Sequence, residues 1–171
     1  MPDPTGSAGA ISTARLDLLP LRVEHAREMA EVLSDPALHA FTGGAPATAD
    51  ALRSRYERLV GGSPDPAVTW WNWVLGHRED ECLVGTVQAT VAEDVVEIAW
   101  VVGTPWQGRG FAGEAARGLV GWLGRRPRLR TVIAHVHPGH LASAAVARTA
   151  GLTATDRFED GEVRWELPLR R

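Results

Sequence analysis

Apolar and polar positions along the chain alternate between two periods. Residues 14–19 alternate as a strand does, and Val23, Ala26, Ala30 and Leu33 then recur at helical spacing until Asp35-Pro36. Thr48 is placed to cap a second helix that runs to about Val60, ahead of Gly61-Gly62. Three strand-like runs follow, over residues 69–76, 82–91 and 95–102, separated by short polar turns. Ala112, Ala116, Leu119 and Leu123 give one face to a helix over 110–123, and residues 131–137 read as a strand. A helix over 141–150 closes at Gly151, with Leu152 placed for a Schellman contact, and strands over 153–158 and 163–169 end the chain. The order β-α-α-β-β-β-α-β-α-β-β predicts an α+β domain with a mixed sheet over residues 13–171. Residues 1–12, rich in Pro, Gly, Ser and Ala, read as a flexible leader.

Composition narrows the classes. The chain has 171 residues, 44% of them hydrophobic, which suits a single domain with its own core. A net charge of −3 offers no basic field for nucleic acid or a membrane surface. Cys82 is the only cysteine, so no disulfide forms within the chain. With no apolar run long enough to span a bilayer, the expected location is the cytoplasm.

The chemistry gathers around Trp106. From there the chain reads WQGRGFAGEAARGLV, in which Gly108, Gly110 and Gly113 have the G-x-G-x-x-G spacing of a dinucleotide turn. The context contradicts that reading. The turn follows a later strand of an antiparallel meander, no acid ends the next strand, and too little chain remains for a doubly wound sheet. A Walker loop is absent as well. What survives is a strand running through a glycine bend into a helix, whose unpaired N–H groups attract a pyrophosphate.

Gln107-Gly108-Arg109-Gly110-Phe111-Ala112 resembles the Q/R-x-x-G-x-G/A loop of the GNAT N-acyltransferases. The segments RLDLLPL, ECLVGTVQATV, EIAWVV and HLASAAVARTAGL resemble that family too, most of all its ribosomal-protein N-terminal and antibiotic acetyltransferase branch. The resemblance implies a splayed pair of parallel strands, 95–102 and 131–137, that binds acetyl-CoA without a metal. The pyrophosphate would rest on Gly108, Arg109, Gly110, Phe111 and Ala112, and the pantetheine on Trp100, Val101 and Val102. The N–H of Val101 or Val102 would polarise the thioester. Glu97 is the implied base, with His135 as the alternative. Ala147 stands where many relatives carry a tyrosine acid, so Ser143 is the candidate donor to the thiolate, and His140 replaces a common asparagine near the pantetheine.

Phe41 and Thr42, in the loop where the family builds its acceptor pocket, and Trp71 and Trp73, as aromatics at its mouth, are the candidate acceptor contacts. The expected activity is acetyl transfer to a primary amine, on a protein N-terminus or a small molecule, by direct attack. The alternative is a non-catalytic acyl-CoA-binding sensor, for which the alanine at 147 argues. An edge strand near the C-terminus offers a homodimer contact.

Overall fold

The computed structural model describes residues 8–169. Eight strands form one sheet in the order β1-β2-β3-β4-β5-β6-β8-β7. They are β1 (Ile11–Ser12), β2 (Leu16–Pro20), β3 (Val68–His77), β4 (Cys82–Ala92), β5 (Val95–Val102), β6 (Thr131–Val136), β7 (Thr153–Glu159) and β8 (Glu162–Pro168). The helices are α1 (Ala26–Val32), α2 (Ala49–Val60), α3 (Phe111–Gly124) and α4 (Leu141–Thr149). Among the described strands only the β5–β6 pair is parallel, so the mixed α+β sheet read from the sequence is the fold observed. No helix among the described residues is long and apolar enough to cross a membrane.

Residues 8–12, read from composition as part of a leader, are placed against the fold. Residues 1–7 lie outside the described residues, but Ala8 and Ile11 are buried, and Ile11 pairs with Leu18. Trp73 Nε1 also donates to the Gly9 carbonyl at 2.9 Å. Two strand residues are too few to show a period, so β1 exists because β2 offers it an edge.

Local chemistry sets the helix ends. Thr48 accepts a hydrogen bond from the Ala51 N–H at 3.1 Å, as its position before α2 implied. Thr48→Ala is expected to cost about 1 kcal/mol, read as a lower urea midpoint at unchanged slope. At the end of α4, Gly151 takes φ +97° and the Leu152 N–H reaches back to the Ala147 carbonyl at 2.9 Å, the 6→1 bond of a Schellman motif.

The sheet separates two apolar layers. Beneath it, α3 and α4 pack Phe111, Ala115, Leu119, Leu123 and Ala147 against Trp73, Val87, Val96 and Ile98. Above it, α1 and α2 bring Met29, Leu52 and Tyr56 onto Val74 and Leu83. Strand alternation places Trp71 and Trp73 in the lower layer, where both meet Trp122 edge-on at 5.0 and 5.3 Å. Asn72 and Val74 therefore turn to the upper face.

Candidate active site

Strands β5 and β6 hold together for only three residue pairs, Val95–Thr131, Val96–Val132 and Glu97–Ile133. Past that point they part, and a cleft of about 1290 Å³ opens between them. It runs from the glycine turn across the sheet and under α1 and α2. β5 keeps its other partner, since the β4 pairing continues to Val102. The Gly103 N–H donates to the Val84 carbonyl at 2.8 Å, and bonded and free residues alternate along an antiparallel strand. Val101 thus directs its N–H and C=O at β4, whereas Trp100 and Val102 direct theirs into the gap. Of the two N–H groups considered for the thioester, that of Val102 faces the cleft.

The glycine turn closes one end. Gly108 and Gly110 have φ of +77° and +81°, and Gly110 in the left-handed region starts α3. Among the described residues the N–H groups of Gly108, Gly110, Phe111 and Ala112 make no backbone bond, so four donors stand at a helix N-terminus. Gln107 fixes the turn to β5, its Nε2 donating to the Val102 carbonyl at 3.0 Å. Glu114, in the first turn of α3, fixes it to the N-terminal strands by accepting from the Thr13 hydroxyl, the Arg15 N–H and the Arg15 Nε. Burial alone would raise the Glu114 carboxyl, but those bonds outweigh it and hold it below the usual carboxylate range. The Arg109 side chain is not among the cleft-lining residues; it lies over the Phe111 ring, 4.9 Å from the centroid, and Arg15 lies over the same ring at 4.4 Å.

Across the gap lie the residues of β6 and α4. His140 caps α4, its Nδ1 accepting from the Ser143 N–H at 3.3 Å. This bond puts the neutral ring's proton on Nε2, and the residue lines the cleft. Burial, then the neighbouring His137, lowers the His140 pKa below 6.5. A histidine depressed in the folded state stabilises fully above its unfolded value and loses that contribution as pH falls through it. Thermal stability should therefore decline as pH falls below about 6.5, and His140→Asn should weaken that dependence in a series of calorimetric melts. Ser143 also lines the cleft, whereas Ala147 is sealed in the core.

Glu97 does not itself line the cleft, but its Oε1 lies 3.1 Å from Nδ1 of His135, which does. The two candidate bases thus form one pair, placed where the strands separate. The far nitrogen of His135 is buried 3.0 Å from Glu159 Oε2, out of line for a hydrogen bond. Phe41 and Thr42 line the cleft as expected, and Phe41 stacks on the His140 ring at 4.4 Å, so the 41–44 loop reaches over the α4 terminus.

Trp71 is absent from the cleft lining, and Trp73 is fully buried and contributes only to its floor. Both turn toward α3, which corrects their placement at the acceptor mouth. Asn72 between them lines the cleft instead, with Gln88, Thr86, Arg55 and Tyr56. Alternation along β3 carried the signal for Asn72, since a polar residue flanked by tryptophans marks the opposite face. Burial pushes the Tyr56 phenol up to about 12, so it stays neutral. Cys82 lies outside this cleft, and burial, then Asp80 and Glu28, raise its thiol. It offers no thiolate nucleophile.

A parallel strand pair that parts beside a glycine turn, with free amides at a helix start, can seat a ligand that carries a diphosphate and pairs along a strand edge. The chain belongs to the GNAT acetyltransferases: the family model described as an acetyltransferase (GNAT) domain matches residues 15–153. It is 28% identical to the FsC-acetyl coenzyme A-N(2)-transacetylase of Aspergillus fumigatus, over 92% of this chain and 75% of that protein. It is 29% identical to the uncharacterized N-acetyltransferase YnaD of Bacillus subtilis, but over 48% of this chain and only 49% of that protein. A GNAT-family acetyltransferase structure from Bacillus anthracis shares the fold at a TM-score of 0.79 and 18% identity, covering 93% of this chain and 98% of that one.

Proposed function

We propose that the protein moves the acetyl group of acetyl-CoA to a primary amine by direct attack, with Glu97 and His135 as the proton-accepting pair. The observation that carries this reading is the opening between β5 and β6. It exposes the Trp100 backbone and the Val102 N–H along one wall, between the amide-lined turn and the Glu97–His135 pair where the strands part.

The donor's diphosphate fits residues 108–112, where four N–H groups lack backbone acceptors, and its pantetheine adds to β5 as a further strand would. The thioester carbonyl then comes within reach of the Val102 N–H, which stabilises the oxyanion. An alkyl ammonium has a pKa near 10, so the acceptor must shed a proton before attack. His135 takes that proton while hydrogen-bonded to Glu97, and the pair shares the charge. The amine nitrogen bonds to the carbonyl carbon, the C–S bond breaks, and the thiolate is protonated from the side of Ser143. The cleft reaches both faces of the sheet, so donor and acceptor meet without a covalent enzyme intermediate.

The test is release of CoA thiol from acetyl-CoA with a panel of primary amines, with the acetylated product identified by mass. Amine-dependent release supports the reading. Tight acetyl-CoA binding without release by any amine would favour a non-catalytic module.

A further inference from the structure

Resting on the transfer reading above, we propose that the acceptor is a singly charged primary amine on an apolar body, and that this body occupies the chamber under α1 and α2. The upper core layer is open on one side. Leu21, Leu33 and Leu59 pack against it but are only partly buried, and with Leu38 they turn their remaining apolar surface into the cleft. The chamber floor is polar and uncharged, made by Asn72, Thr86 and Gln88.

Charge in the cleft is sparse. Among the described lining residues Glu162 is the only carboxylate and Arg55 the only arginine. One ammonium can be served at the reacting end, where Glu162 and the Glu97–His135 pair lie on the β6–β8 side. A polyamine or aminoglycoside carries further ammonium groups. Inside the chamber these would meet leucines and the Arg55 guanidinium, with no carboxylate to pair them, which is a costly way to desolvate a charge. An alkyl or arylalkyl chain meets apolar surface there and gains from leaving water.

Thiol-release rates on the whole chain, with saturating acetyl-CoA, read this directly. From propylamine to hexylamine, kcat/KM should rise about fourfold per methylene, as expected of a chain entering an apolar chamber. Phenylethylamine should match hexylamine, and spermidine and kanamycin should fall at least tenfold below both. Leu59→Glu, which adds a carboxylate to the chamber wall away from the reacting atoms, should cut the hexylamine-to-spermidine preference at least tenfold with acetyl-CoA binding retained. A flat alkyl series, or spermidine or kanamycin equal to hexylamine, would overturn the proposal, and the wild-type series decides this even if the variant misfolds. Thermal shifts with CoA separate the two readings. If no amine is turned over, yet phenylethylamine raises Tm and spermidine does not, the chamber stands and the transfer reading falls. Neither turnover nor a shift overturns both.

Discussion

Glu97→Gln is expected to lower kcat by about 10²- to 10⁴-fold at pH 7, the range that a positioned general base contributes. The change keeps the side chain's shape and removes its charge, so His135 loses the carboxylate 3.1 Å from its Nδ1. The unassisted route needs the minor free-amine form of the acceptor, whose population grows about tenfold per pH unit below a pKa near 10. The deficit should therefore shrink as pH rises toward 9, and the variant's log kcat should climb more steeply than the wild type's. KM for acetyl-CoA should hardly move, because Glu97 does not line the cleft that receives the donor. His135→Gln should give a similar deficit, and the double variant should lose little more than either alone, since the two act as one unit. Parallel pH profiles for wild type and Glu97→Gln would remove the pair from proton transfer.

The second large effect concerns the donor. Gly110 starts α3 at φ +81°, and a Cβ there would come within 3.4 Å of Arg15 Nη2. A β-branched residue resists the left-handed region at a cost of roughly 1–2 kcal/mol. Gly110→Val should therefore rotate this peptide, turning the N–H groups of Phe111 and Ala112 away from their shared focus. Acetyl-CoA Kd is expected to rise about 100-fold by calorimetry, about 2.7 kcal/mol of binding. Unliganded Tm should fall by several degrees. Gly121→Ala is the control: Gly121 sits mid-helix with open space where its Cβ would be, so alanine should raise stability by up to about 1 kcal/mol and leave Kd unchanged. Equal Kd for Gly110→Val and wild type would show that the turn does not hold the diphosphate.

Much of this architecture was legible before any coordinates. The Thr48 cap, the Gly151 stop and the period-2 runs of β3, β4 and β5 depend on neighbours a few residues away. The glycine turn was legible for the same reason: a strand, two left-handed glycines and a helix start form one continuous segment. Trp71 and Trp73 show where such reading stops. Alternation along β3 put them correctly on one face, yet only the seating of Trp122 of α3 against them decides that this face is core. The acceptor side then passes to Asn72 by default.

The sequence by itself determined the order of elements from β2 onward, the ends of α2, α3 and α4 to within a residue, and the main-chain turn suited to a diphosphate, because each arises from steric and hydrogen-bonding preferences within a few residues. The tertiary structure alone decided that β5 and β6 part after three pairs, that Glu97 meets His135 and that Phe41 covers His140. It also decided that four leucines of separate elements wall one chamber. Those partners lie tens of residues apart, and only the burial of two apolar layers on opposite faces of the sheet brings them together.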